Sequence, residues 1–308
     1  MDERRSTVAI AHDPWNVGDL DLAAYLERVG VGEPREGGGG SDREGPDRER
    51  RDAAGSPGAA YLERLYGAHI RAFPFETVDA LLGRAPAVDL REVQEKFLGG
   101  GRGGYCFEHG VLFSAALERL GYEVHRRLGT VGPPGENART HLLVEVVVDG
   151  RRLLADPGFG SGMRRPVELR DGARSTGGGM TFGVARVPQG RSWGWELRKL
   201  RDGGWDGLHV THESEVYPVD LVAGNHFVAT HPDSVFRTLL VVTGFLPDGS
   251  HASLTQGSVT LRAPGTPTRH EALAPGGLDP WLERLGVRLS EEDRVLLHAR
   301  LAELPSPA

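Results

Sequence analysis

The run THLLVEVVVDGRRLLADPGFG, residues 140–160, constrains this chain more than any other stretch. Two apolar segments flank Asp149–Gly150. An Asp-Gly pair between such segments signals a two-residue hairpin loop, because both positions of that turn need positive φ. Val148 then faces Arg151, and the same register carried onward places Asp156 opposite Leu143. Opposed residues share a face, as do residues two apart on one strand. His141, Leu143 and Asp156 therefore project from one side. His141 and Asp156 become diagonal neighbours about 7–8 Å apart at the backbone, within reach of a side-chain hydrogen bond. A loop one residue longer would put them on opposite faces. The flanking LLVEVVV and LLA make both faces largely apolar, which argues against a water-facing pair.

Upstream of the hairpin the period is helical. Residues 19–31, 59–72, 90–98 and 107–120 each carry apolar stripes. Leu62, Leu65, His69 and Ile70 form one, ended by Pro74, and Gly121 stops the last helix. Between the first two lies EPREGGGGSDREGPDRERRDAAGSPG, residues 33–58, without a large apolar residue; it reads as a disordered insertion. Downstream, strand-like runs at 181–187, 195–200, 208–212, 237–243 and 258–261 are punctuated by Pro and Gly. Ser290 before Glu291, Glu292 and Asp293 caps a closing helix. Helices, then strands, then mixed elements indicate an α+β fold.

Cys106, in RGGYCFEH, is the only cysteine among 308 residues. One cysteine excludes an intramolecular disulfide and a cysteine-based zinc cage, and it fits a reducing cytoplasm. Position alone leaves two readings open. One is an inert core sulfur. The other is a nucleophile where a glycine loop meets a helix start, whose dipole and free N–H groups favour the thiolate and an oxyanion. A cysteine nucleophile wants a histidine base steered by a carboxylate. His141 and Asp156 supply both, which favours a Cys–His–Asp triad.

At these residues the chain resembles the arylamine N-acetyltransferase family. RGGYCFE is similar to its nucleophile motif, THLLVEV to its histidine strand and DPGFG to its aspartate segment, in the same order. FPFETVDALLG (73–83) and NHFVATHPDSVF (225–236) resemble two further family segments. The resemblance implies a helical bundle over residues 1–120 carrying Cys106, a β-barrel-like domain over 121–226 carrying His141 and Asp156, and an α/β lid over 227–308, around a cysteine-protease-like core. It also implies acetyl-CoA as donor. Phe75, Phe159 and Phe236 match positions lining the acceptor and acyl pocket. Thr140 and Gly160 match positions near the coenzyme. Arg102 and Glu76 match a buried ion pair. Three residues depart from the family pattern: Gly110 and Thr77 stand where Asn is common, and Pro157 where a β-branched residue is usual. Gly110 inside a helix costs about 1 kcal/mol relative to Ala, and Pro157 removes a ladder donor beside Asp156.

The implied activity is acetyl transfer from acetyl-CoA to arylamines or arylhydrazines through an acetyl-cysteine. The alternative is an amide synthase of the same fold, which releases a polyketide chain from a carrier protein by arylamine attack. A cysteine hydrolase and a binding protein without turnover are further readings. A formal net charge of −7 argues against a nucleic-acid partner. No apolar run is long enough to span a membrane, and the N-terminus lacks a signal-peptide core. GGGRGG lacks the Lys-Ser/Thr ending of a phosphate loop. In HVTHE, residues 209–213, strand geometry puts the two histidines on opposite faces, so no metal site is expected there. Histidines elsewhere read as surface groups.

Overall fold

The computed structural model describes residues 13–34 and 57–304, so most of the 33–58 insertion lies outside the described residues. Helix α1 (Leu22–Val29) starts where Asp21 accepts from the Ala24 N–H at 2.9 Å and ends at Gly30. α2 (Ala59–Ala72) turns through Phe73–Pro74 into the short β1 (Phe75–Glu76). α3 (Val78–Leu81) and α4 (Leu90–Gln94) follow. The sequence suggested one α-helix to residue 98. Instead the chain widens into a π-helical turn over Glu95–Gly99, from which Lys96 reaches Asp79 and Glu108 at 2.7 Å each. α5 (Cys106–Arg119) begins at the cysteine itself.

Two histidines inside this bundle are not surface groups. Tyr25 donates its hydroxyl to His69 Nδ1 (3.0 Å), His69 Nε2 meets His109 Nδ1 (3.0 Å), and His109 Nε2 meets the Pro74 carbonyl (3.2 Å). One neutral tautomer of each ring satisfies the whole chain. Burial pushes His69 well below its ordinary pKa and holds His109 at about 4, the second despite the Pro74 hydrogen bond. The unfolded chain binds protons that the folded chain refuses, so stability is lost as pH falls from about 6.5 toward about 4. Urea melts across that range should show a slope of up to about 1.4 kcal/mol per pH unit per histidine. His109→Gln should flatten it; an unchanged slope would locate the acid sensitivity elsewhere.

After Gly121 come β2 (Glu123–Val131), β3 (Arg139–Val148), β4 (Arg151–Ala155), β5 (Val167–Glu168), β6 (Arg174–Gly177), β7 (Met180–Gln189), β8 (Ser192–Arg201) and β9 (Gly204–Thr211). They form one antiparallel sheet in the order β5-β4-β3-β2-β9-β8-β7-β6, nearly closed because edge strands β5 and β6 approach each other. The β3–β4 register runs from Val148↔Arg151 to Val144↔Ala155, with Asp149 and Gly150 at φ 52° and 68°. β4 ends before Asp156, so Pro157 costs no ladder bond. α5 packs on β2 and β3, and the two layers share one hydrophobic core. Gly110 belongs to that contact. A Cβ there would lie 2.6 Å from Leu142 Cγ, so the glycine lets helix and sheet close together.

α6 (Pro218–Thr230) leads into a second antiparallel sheet of β1, β10 (Val242–Phe245), β11 (His251–Leu254), β12 (Ser258–Arg262) and β13 (Arg269–Ala272), followed by α7 (Leu278–Arg284) and α8 (Glu291–Glu303). α8 is capped by Ser290, which accepts from Asp293 N–H. The expected strand at 237–243 is corrected: Val235–Arg237 is a 3-10 turn and extended chain starts at Val242. Backbone bonds from Thr238 and Leu239 to the Val235 carbonyl hold the turn, and Arg237 reaches back to the Ala80 carbonyl. The fold is α+β. No helix among the described residues is long and apolar enough to cross a membrane.

Candidate active site

The glycine loop leading to Cys106 is shaped by close approach. A Cβ at Gly103 would strike the Pro74 carbonyl oxygen, and one at Gly104 the Glu108 carboxylate. Glu108 turns back from the first turn of α5 to accept from the Tyr105 N–H at 3.0 Å, bracing the cysteine's own turn. Beneath the loop sits a buried ionic group. Arg102 donates to Glu76 Oε1 at 2.9 and 2.6 Å and to Asp79 at 3.2 Å, while Lys96 bridges Asp79 and Glu108. The Arg102–Glu76 pair is therefore present, within a larger set of three acids and two cations. Burial pushes Glu108 up to about 7, against the pull of Lys96.

Cys106 is 6% exposed, and its Sγ lies 3.7 Å from the Thr140 carbonyl. His141, on the adjoining residue of β3, places Nε2 at 2.9 and 3.0 Å from the two carboxylate oxygens of Asp156. Burial alone would lower the His141 pKa. The Asp156 carboxylate, with a smaller hydrogen-bonding contribution from Cys106, lifts it to about 10. Asp156 would be raised by burial, yet its two histidine neighbours hold it well below the usual carboxylate range. The ring nitrogen left over by Asp156 is Nδ1, the one available to the sulfur.

The other matched residues converge here. The Phe159 ring stands edge-on to His141, with centres 5.0 Å apart. Gly160 packs against Phe75, whose ring is 6.1 Å from Phe236; Phe236 also lies 6.1 Å from Tyr105. Thr140 is half-buried beside the sulfur through its carbonyl.

Two further residues stand at the site that the sequence motifs did not assign to it. Tyr66 on α2 donates its hydroxyl to the Asp156 carbonyl at 2.9 Å. His209, the first histidine of HVTHE, is fully enclosed; its Nε2 lies 2.9 Å from Asp156 Oδ2, and its Nδ1 is 3.3 Å from the Thr211 hydroxyl. Burial lowers its pKa, against the pull of Asp156. The alternation of residues 208–212 hints at an inward His209. That β9 pairs with β2 rather than only with its hairpin neighbour cannot be read locally. Among the described residues, His141, Asp156 and His209 are the one His/Cys/Asp/Glu group whose ligand-type atoms lie within 4.8 Å of one another. Both histidine Nε2 atoms are already engaged with Asp156.

Comparison with known proteins gives a consistent picture. A family model described as N-acetyltransferase matches residues 60–284. The arylamine N-acetyltransferase of Mycolicibacterium smegmatis is 30% identical over 92% of this chain and 98% of its own length. Among solved structures, Nocardia farcinica arylamine N-acetyltransferase superposes with a TM-score of 0.80 at 34% identity, over 94% of this chain and 99% of that one. The Mycobacterium marinum arylamine N-acetyltransferase in complex with CoA gives 0.76 at 26% identity, over 92% and 99%. With a family match over most of its length and a relative covered almost end to end, this chain belongs to the arylamine N-acetyltransferase family.

Proposed function

We propose that the chain transfers an acetyl group from acetyl-CoA to an arylamine or arylhydrazine, with Cys106 as nucleophile, His141 as base and Asp156 as the group that steers it. The observation that carries this reading is the junction itself: the sole thiol at the first residue of α5, beside an imidazole whose far nitrogen is held by a buried carboxylate. The Cys106 thiolate attacks the thioester carbonyl, and the coenzyme's sulfur leaves with the proton carried by His141. Backbone N–H groups opening α5 stabilise the oxyanion. The amine nitrogen then attacks the acetyl-cysteine, His141 takes its proton, and the Cys106 sulfur departs. The rings of Phe75, Phe159 and Phe236 suit an aromatic acceptor, and Thr140 and Gly160 flank the path of the coenzyme. The relatives described above are acetyltransferases, which favours acetyl transfer over release of a carrier-bound chain.

Intact-mass analysis after incubation with acetyl-CoA should show one added acetyl group on the wild type and none on Cys106→Ala. Addition of aniline should then discharge it. A wild type that stays unmodified, or a Cys106→Ala protein that is modified equally, would overturn the reading.

In this scheme His209 is a positioning residue. It gives Asp156 one hydrogen bond to a charged acceptor, worth about 1.5–3 kcal/mol. His209→Phe should lower kcat by roughly 10- to 100-fold. His209→Gln, which can keep an N–H donor, should recover part of it. Equal loss in both variants would point to packing and not to the bond.

A further inference from the structure

Cys106 stands between two aromatic residues, and both are seated on one helix. Phe107 is fully buried and meets α6 at Gly224, where a Cβ would come within 2.8 Å of the ring's Cζ. Tyr105 meets the next residue of α6. Its hydroxyl donates to Asn225 Oδ1, and Asn225 Nδ2 donates to the Pro86 carbonyl at 2.8 Å. The two rings stand edge-on to each other, with centres 5.8 Å apart. Consecutive residues of α6 therefore hold the two chain neighbours of the sulfur.

The chemistry of the partners fixes how Asn225 is turned. The Pro86 carbonyl can only accept, so the amide NH2 faces it and the amide oxygen is left for the phenol. Asn225 is 6% exposed and Tyr105 1% exposed, so water does not readily replace a lost partner. Burial, then the neighbouring Cys106, raise the Tyr105 pKa, and its hydroxyl acts as a donor. At its other end Tyr105 gives its N–H to the Glu108 carboxylate at 3.0 Å. The residue is tied through both main chain and side chain, and its backbone, at φ −105° and ψ −167°, leads directly into α5 at Cys106.

We propose that Asn225 is a positioning residue for the nucleophile: through Tyr105 it sets where the Cys106 sulfur stands relative to His141. The role given to Cys106 rests on the functional reading above. Asn225 bonds Tyr105 and Pro86, and its effect reaches the sulfur across one peptide link. A displacement of about 1 Å at a reacting atom is enough to cost a large factor in rate. The Phe236 ring lies 6.1 Å from the same tyrosine, so the aromatic wall and the sulfur share this support.

The test measures two rates at Cys106: alkylation by iodoacetamide as a function of pH, and single-turnover acetylation by acetyl-CoA. The proteins are the wild type, Asn225→Ala, Tyr105→Phe and the double variant, with thermal melts to check folding. Tyr105→Phe removes one oxygen and keeps the ring, so it reads the bond if Asn225→Ala does not fold. Each single variant should slow acetylation about 10-fold. Alkylation on the acid side, where the thiolate depends on its contact with His141, should slow by a similar factor. The double variant should be no slower than Asn225→Ala, because both changes remove the same bond. Alkylation at the wild-type rate in the folded single variants overturns the proposal, whatever happens to their melting temperatures or to acetylation. Losses that multiply in the double variant overturn it too, since the two residues would then act independently. Alkylation needs no acetyl-CoA, so variants that slow it as expected, beside a wild type that acetyl-CoA leaves unmodified, would fail the functional reading alone.

Discussion

Asp156→Asn is expected to lower kcat by about 10⁴-fold while leaving the protein folded. In the wild type the carboxylate accepts from two rings at once, His141 Nε2–H and His209 Nε2–H. An asparagine can accept through one oxygen only, and its amide presents hydrogens to the second ring. The His141 tautomer that carries its proton on Nε2 is then no longer enforced, and Nδ1 ceases to be a dependable proton acceptor. The charge that lifts His141 to about 10 is also removed. Burial is then opposed only by the smaller contribution of Cys106, so the titration, followed by NMR of the ring, should move far down. In the wild type this raised pKa contributes most below about pH 6.5 and is lost as pH rises toward about 10; the variant should lack that alkaline loss. Activity within tenfold of wild type would remove Asp156 from the proposed role.

Arg102→Ala is expected to destabilise the protein by about 3–5 kcal/mol, the cost of leaving buried charge uncompensated. Glu76, Asp79 and Glu108 would then share Lys96 alone. Because Glu108 already stands at about 7, the native state of the wild type takes up a proton that the unfolded chain does not hold between about pH 4.5 and 7. Without Arg102 this uptake grows, so the deficit should shrink as pH is lowered through that interval. Urea melts at pH 8 and pH 5.5 would check it. A deficit independent of pH would mean that Arg102 contributes packing and not charge. Activity should fall as well, since Glu108 ties down the Tyr105 N–H at the cysteine turn.

The centre of the site was legible because its geometry is local. Asp149–Gly150 set the register of β3 and β4, and with it the shared face of His141 and Asp156. A helix start next to Cys106 followed from glycines meeting an apolar stripe, expected at residue 107 and found one residue earlier. What escaped was set by distant contacts. His209 reaches Asp156 only because β9 lies against β2, some eighty residues earlier in the chain. The π-helical turn at Glu95–Gly99 answers to carboxylates on α3 and α5, and the 3-10 turn at Val235–Arg237 to the Ala80 carbonyl. His69 and His109 lie on apolar stripes, yet their mutual bond depends on how α2 meets α5. Gly110 counts as a weak helix residue in isolation and becomes a fitted one beside Leu142.

A solitary, nearly enclosed thiol also decides how this protein meets oxidants. A sulfenic acid formed at Cys106 finds no second thiol in the same chain to condense with, so the self-sealing disulfide that shields many sensor proteins from deeper oxidation is closed to it. Recovery must be borrowed from small thiols able to enter the pocket, and a resting acyl group on the sulfur would serve as its own protective cap.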